Sequence, residues 1–264
     1  MKKYLFLFLV FISTYCFSQK YYVDKTVTHG DSITYLRSTM DPLNGTVYNE
    51  FGDICSYVNG KKNGLYREWF KTGQLKEKSN FLNGVHNGDS YNWHSNGQLS
   101  KKCKIYSYGY EGSLTFWDEN GNVKNVFNFN KGVRFSIKTY YKNGNVKSEE
   151  PNNKKGEIHG ICKNFYENGK IENTSTWVNG KALGIQKYWF TNGNLKQEVF
   201  LNGFNENGYP IFNGSLKKYR KDGSLYSETI YDKTGKRIKD QNFNLNSQPI
   251  TDKEFYSTPE FLKR

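Results

Sequence analysis

The sequence predicts an all-β protein, an elongated single-layer antiparallel β-meander of about seven hairpin repeats with short N- and C-terminal caps. The first observation is self-similarity: variants of residues 184–203 recur along most of the chain at a spacing of about 24 residues. The second observation is the composition of each copy, which contains an aromatic-rich run, a glycine turn and a second run with apolar residues. Two strands and two turns fill such a unit, so we expect no helix inside it.

One aromatic residue recurs five positions after the leading position of each unit. The set is Trp69, Trp93, Trp117, Tyr141, Phe165, Trp189 and Tyr219. A turn glycine and then an aliphatic residue follow each of them, as Gly193 and Leu195 follow Trp189. Because side chains alternate along a strand, Ile185, Lys187 and Trp189 share one face. We expect the recurrent rings to stack along that face and to exclude water.

The turns and two irregular units refine this prediction. The pair Asn192-Gly193 accepts positive φ at both residues and predicts a type I′ hairpin turn. The unit that starts at Ser136 lacks its leading glycine and contains Pro151, which cannot donate to a strand partner, so its second strand should be weak or bulged. A six-residue insertion at residues 204–213 predicts a longer loop, the expected place for a feature specific to one partner.

Residues 1–18 have the pattern of a secretory signal peptide, with Lys2 and Lys3 ahead of an apolar run at residues 4–12 and cleavage after Ser18. The run is shorter than the roughly 20 residues that span a bilayer. We therefore expect an exported protein that is periplasmic, on the cell surface or secreted. An N-terminal cap at residues 19–44 and hairpin repeats at 45–238 follow. In the tail, 239–264, Thr251 and Glu254 have the spacing of a helix capping box.

The charge balance favours an anionic partner. The chain has 38 basic and 25 acidic residues, a net charge of +13, which attracts anionic surfaces. The same lysines could simply keep an edge-rich sheet soluble. Lys187 lies beside Trp189 at a position that is basic in several units. Export disfavours nucleic acid as the partner, although basic and aromatic residues are mixed.

The sequence offers no catalytic constellation. It lacks a nucleophile elbow, a P-loop and a zinc-protease motif. Three cysteines remain after signal cleavage, an odd number without metal-ligand spacing, and their positions in different units predict separate thiols. They are Cys55, Cys103 and Cys162. The scattered histidines also match no metal site. We expect no enzyme activity, metal, cofactor or small-molecule substrate.

Residues 179–195, which begin Asn179-Gly180-Lys181 and reach Leu195 through the turn at Gly193, resemble the MORN repeat variant. In bacteria this variant occurs in YwqK-type antitoxin proteins. The resemblance covers roughly residues 45–238. It implies an elongated antiparallel sheet that acts as a binding or scaffolding surface, with contact to phospholipid. An export signal conflicts with neutralising a toxin in the cytoplasm.

The leading hypothesis is a non-enzymatic exported repeat protein that binds a protein partner or an anionic envelope component, either lipid or polysaccharide. The alternatives are a carbohydrate- or cell-wall-binding module and a toxin-neutralising immunity protein. Edge-to-edge self-association also stays open. The candidate binding residues on the aromatic face are Trp69, Trp93, Trp117, Tyr141, Phe165, Lys187, Trp189 and Tyr219.

Overall fold

The computed structural model describes residues 19–30, 32–252 and 254. The all-β prediction of successive hairpins is confirmed, because sixteen strands, from Gly64–Trp69 to Pro249–Ile250, follow one another in chain order in one antiparallel sheet. The chain divides into two compact units, Met1–His86 and Asn87–Arg264, described separately below. The predicted signal peptide, residues 1–18, lies outside the described residues.

The first unit contains eight strands among its described residues. They are β1 (Lys20–Tyr22), β2 (Thr26–Thr28), β3 (Thr34–Leu36), β4 (Gly45–Asn49), β5 (Gly52–Val58), β6 (Lys61–Lys62), β7 (Gly64–Trp69) and β8 (Leu75–Leu82). A 3-10 helix spans Val23–Lys25. Strand β1 runs parallel to β4, whereas the pairs β4 with β5, β5 with β6, β2 with β3 and β7 with β8 are antiparallel. Leu43, Val47, Cys55 and Tyr57 form a buried core.

The second unit is a meander of hairpins. Its strands are β9 (Val85–Trp93), β10 (Leu99–Tyr106), β11 (Gly109–Trp117), β12 (Val123–Asn130), β13 (Val133–Tyr140), β14 (Val146–Pro151), β15 (Gly160–Phe165), β16 (Ile171–Val178), β17 (Lys181–Trp189), β18 (Leu195–Phe204), β19 (Pro210–Tyr219), β20 (Leu225–Tyr231), β21 (Arg237–Phe243) and β22 (Pro249–Ile250). Each strand from β9 to β21 pairs with the next in antiparallel orientation.

The turn after each recurrent aromatic residue is a three-residue loop, so the type I′ prediction for Asn192-Gly193 is wrong. The N–H of Gly193 donates to Phe190 O at 2.8 Å, and the N–H of Phe190 donates to Asn194 O at 2.9 Å. Only Gly193 takes a positive φ, of 97°, while Asn192 does not. This is a type I turn closed by a left-handed glycine. The type I′ signs occur at the other end of the hairpins, as at Asn179 (φ 50°) and Gly180 (φ 78°).

A bulge follows the three-residue loop after each recurrent aromatic residue and fixes the register of that hairpin. Tyr188 faces Gln197 and Trp189 faces Leu195, which leaves Lys196 as the extra residue. The equivalent extra residues are Lys76, Ser100, Lys124, Lys147, Glu172 and Tyr226. The glycine and the bulge together determine which side chains reach each face.

This register corrects the assignment of Tyr141. Tyr140, not Tyr141, faces Val146 as the other recurrent aromatics face their aliphatic residues. Tyr141 is the residue immediately before the three-residue loop, and its hydroxyl donates to Phe165 O at 2.7 Å in the next repeat. Its position was misjudged because the unit that contains Ser136 is one residue out of step with its neighbours.

Two other features differ from the prediction. The insertion at residues 204–213 forms no long loop; it lengthens β18 and β19 to 10 residues each, and a three-residue loop at residues 206–208 joins them. The hairpins also continue beyond Ile238, because β21 and β22 pair around a loop in which Ser247 (φ 58°) occupies the glycine position. The sequence does not predict this last turn, because a serine stands at the position that glycine occupies in the other three-residue loops of the second unit.

Two smaller predictions are confirmed. Strand β14, which ends at Pro151, pairs with β15 at only two positions. The capping box forms, since the N–H of Thr251 donates to Glu254 Oε2 at 2.6 Å and the N–H of Glu254 donates to Thr251 Oγ1 at 3.3 Å.

Gly132 and Gly180 provide a test of how closely the turns pack. Both take φ near 80° in type I′ turns, but an added Cβ at Gly132 would lie 2.3 Å from Tyr108 O, whereas one at Gly180 would meet nothing within 4 Å. We expect Gly180→Ala to cost about 1–2 kcal/mol from backbone strain alone. Gly132→Ala should cost about 1–3 kcal/mol more, because the backbone must shift. Denaturant unfolding of both variants measures the difference, and equal losses would contradict this packing.

Candidate functional site

The recurrent aromatic residues, with Tyr140 in the place of Tyr141, lie on one face of their hairpins, which we call the aromatic face. All of them are partly buried. Each packs beside an aliphatic residue across its own hairpin, as Trp117 does with Val123 and Trp189 with Leu195. In the first unit, Trp69 contacts Phe51, with ring centroids 6.3 Å apart.

The expected stacking between successive repeats is wrong. Equivalent residues of neighbouring hairpins are separated by two strand spacings, about 10 Å, whereas ring centroids in contact lie about 4.5–7 Å apart. In the described part of the chain no ring contact joins two of these aromatic residues. Each ring instead faces the aliphatic residue of its own hairpin.

The middle of the aromatic face carries alternating charges in the second unit. Lys187 Nζ lies 2.7 Å from Glu198 Oε2. Further along the sheet, Glu149 lies between Lys138 (2.9 Å) and Lys163 (3.5 Å). Lys187, which the sequence nominated for binding, is therefore neutralised by a cross-strand partner. This face does not present a row of free cations.

A different basic surface lies at the loop end of β17 to β21, which we call the lysine groove. Its volume is about 740 Å³. The residues that line it are Phe190, Lys196, Gln197, Lys218, Tyr219, Arg220, Lys221, Asp222, Tyr226 and Leu245. Four of these side chains are basic and one is acidic. Among the residues nominated from the sequence, only Tyr219 lies here.

The loop and the bulge place the groove's aromatic and cationic side chains in pairs. Phe190 immediately precedes one three-residue loop, and Lys196 is the bulged residue of the same hairpin; the Lys196 Nζ lies 5.8 Å from the Phe190 ring centroid. In the next hairpin the cation, Arg220, takes the position before the loop, and the aromatic residue, Tyr226, is the bulged one. The Arg220 guanidinium lies 5.1 Å from the centroid of the Tyr226 ring. Sequence analysis missed these pairs because the bulge, which brings them together, is not visible as a motif.

The cations of the groove have different roles. Arg220 donates to Phe243 O at 2.7 Å and to Leu225 O at 2.8 Å, so it ties the last hairpins together. Lys218 and Lys221 are exposed, and no carboxylate lies within ion-pair distance of either among the described residues. Asp222 accepts hydrogen bonds from the N–H and Oγ of Ser224, and the first of these lowers its pKa most. The carboxylate is thus ionised but occupied by its own loop.

The cysteines and histidines are the other residue types that could carry chemistry. The three described cysteines form no disulfide with one another, as predicted, and burial raises the pKa of Cys162 to about 11. His94 Nε2 contacts Trp117 O at 3.1 Å, and His159 Nδ1 accepts from Asn179 N at 3.3 Å. No cluster of three metal-ligating side chains occurs in residues 19–30, 32–252 and 254. Within the same residues, no helix has the length and apolarity to cross a membrane.

Glu149→Gln tests the paired charges. The hydrogen bond from Lys138 holds the pKa of Glu149 below its usual 4.5. A lowered carboxyl pKa stabilises the fold above about pH 4.5, and this contribution is lost as the pH falls through the lowered value. We expect the variant to be less stable by under about 1 kcal/mol at neutral pH, since the pair is partly exposed, and the two melting curves to converge in acid.

The matched control is Glu167→Gln, because the Glu167 side chain is exposed and forms no ion pair among the described residues. It should leave the pH dependence of melting unchanged. A gap between wild type and Glu149→Gln that is the same at every pH would contradict the ion pairing.

Solved structures provide only weak similarities. A Staphylococcus aureus TarM mutant in complex with fondaparinux, alpha-GlcNAc-glycerol and UDP is 14% identical, with a TM-score of 0.28, over 46% of this chain and 21% of that one. A porin-like protein from Bacteroides uniformis is 10% identical, with a TM-score of 0.18, over 67% of this chain and 86% of that one. This chain thus spans about a fifth of the TarM chain. TM-scores this low carry no argument about fold or function.

The family comparison agrees with the hairpin repeats. Five segments match the family model described as the MORN repeat variant: residues 62–83, 110–131, 137–151, 158–179 and 182–202. No curated protein matches the sequence. The chain therefore contains segments similar to the MORN repeat variant, which favours a repeat-based binding or scaffold protein.

Proposed function

We propose that this chain is a non-enzymatic, exported binding protein that holds an anionic component of the cell envelope in the lysine groove. The observation that carries the proposal is the presence of Lys218 and Lys221, which have no acidic partner in the described part of the chain, beside the rings of Phe190 and Tyr226. Lysines in this setting gain more from an anionic ligand than lysines that already face a carboxylate.

The distribution of charge favours the groove over the aromatic face. A ligand that approached Lys187 would compete with Glu198 at 2.7 Å, and one near Lys138 would compete with Glu149 at 2.9 Å. In the groove, the nearest carboxylate is held by Ser224. A phosphate or carboxylate group there meets several cations at once, while the rings offer apolar contact to a sugar or glycerol backbone.

Export is the second part of the proposal and rests on residues 1–18. Lys2 and Lys3 ahead of the apolar run support it. Amino-terminal sequencing of the protein from cell fractions tests it, with Gln19 expected as the first residue outside the cytoplasm. Full-length protein that stays in the cytoplasm would reject export.

The groove predicts a salt-dependent, lysine-dependent affinity. Binding should be measured to phosphatidylglycerol vesicles and to a soluble anionic polysaccharide, for wild type and for Lys218→Met with Lys221→Met. Each lysine near an anionic surface contributes about 1 kcal/mol, so the double variant should bind about 30-fold more weakly at low salt. Preference for one of the two probes distinguishes a lipid from a polysaccharide ligand.

The matched control is Lys142→Met with Lys154→Met, which removes the same net charge from exposed sites outside the groove. Equal losses of affinity in the two double variants would mean that general electrostatic attraction explains the binding, and they would reject the groove as the binding site. A salt-resistant complex with one protein, unchanged in both variants, would instead favour the toxin-neutralising alternative associated with YwqK-type proteins.

A further inference from the structure

The first unit contains a second, more enclosed cavity that is independent of the lysine groove. Its volume is about 470 Å³, within the range of about 300–1,000 Å³ that is usual for small-molecule sites. Strands β2 to β8 all contribute to its wall. The lining residues are Val23, Thr26, Thr28, Ser32, Thr34, Val47, Ile54, Tyr57, Lys62, Tyr66, Phe81 and Gly84.

One side of this cavity is apolar. Val47 is buried and Ile54 is partly buried, and both belong to the region of the first unit's core. The rings of Tyr66 and Phe81 complete that side, with centroids 5.7 Å apart in an edge-to-face arrangement. Such a wall can shield the apolar body of a small molecule from water.

The other side of the cavity carries hydroxyl groups. Thr28 Oγ1 and Thr34 Oγ1 lie 2.9 Å apart, and either can donate to the other. The Tyr57 hydroxyl is hydrogen-bonded to Thr34, and burial raises its pKa to about 12, so it keeps its proton. These hydroxyls leave lone pairs and protons available to orient a polar ligand group.

Lys62 supplies the only charge among the described residues that line the cavity. Its Nζ lies 3.8 Å from the Tyr66 ring centroid and 4.9 Å from that of Phe81. No carboxylate lies within ion-pair distance of it in the described part of the chain. The two rings hold the ammonium group at the cavity wall without neutralising it.

We infer that this cavity binds a small amphipathic anion, with an apolar body against Ile54 and Phe81 and a carboxylate or similar acid group beside Lys62. A charged hydrogen bond from Lys62 would anchor the acid group, and the threonine hydroxyls would orient it. A highly charged ligand such as a nucleotide does not match this cavity, because Lys62 is the single charged side chain in its described lining. The site binds its ligand without turning it over, since no nucleophile and base are paired in its wall.

Two fluorescent probes with matched ring systems test this site: anilinonaphthalene sulfonate, which is anionic, and N-phenylnaphthylamine, which is uncharged. Lys62→Met should weaken binding of the sulfonate about tenfold or more, as expected for loss of a charged hydrogen bond, and leave binding of the amine within about twofold. Amide NMR shifts on addition of the sulfonate should concentrate at Thr28, Thr34 and Phe81.

Lys61→Met is the control, because Lys61 is the exposed neighbour of Lys62 in β6 and does not line the cavity. It should bind both probes as wild type does. A second variant, Ile54→Trp, fills the cavity and should reduce binding of both probes while near-ultraviolet circular dichroism reports that the fold persists. Equal loss of sulfonate binding in Lys61→Met and Lys62→Met, or NMR shifts confined to the second unit, would overturn the inference.

Discussion

The left-handed residue that closes each described three-residue loop of the second unit, a glycine in every loop except the one at Ser247, constrains the rest of that unit. At Gly193 it ends a type I turn with a bond to Phe190 O, and the bulge at Lys196 follows at once. A register shift of one residue would move every side chain of a strand to the opposite face. Loop and bulge together therefore decide which residues of the next strand face this one, Leu195 for Trp189 and Val199 for Gln186.

The same constraint sorts the lysines into two classes. Lysines at mid-strand positions of the aromatic face meet glutamates across the strand, as Lys187 meets Glu198. Lysines at or near the bulge, such as Lys196 and Lys218, lie at the loop end, where the neighbouring side chains are aromatic or basic. Part of the overall excess of basic residues thus gathers in the lysine groove, which four basic side chains and one acidic side chain line. A net charge of +13 spread evenly would not form a site.

Much of the fold could be predicted, because period, turn glycines and alternation are local properties of the sequence. Trp117 and Trp189 lie where that pattern puts them. Tyr141 was misplaced by one residue, and the last hairpin was missed because Ser247 adopts the conformation of a glycine. The groove could not be predicted, since the bulge that pairs Lys196 with Phe190 depends on cross-strand register. The cavity at Lys62 depends on packing between strands distant in sequence.

Lysine acetylation footprinting tests the central claim that the register separates paired from available lysines. The protein would be labelled with and without an anionic envelope fraction, and the labelling rate of each lysine measured by mass spectrometry. The account predicts protection of Lys196, Lys218 and Lys221 by the fraction, with Lys163 and Lys187 unchanged. Protection of Lys163 and Lys187, with the groove lysines still reactive, would contradict it and return the binding surface to the aromatic face.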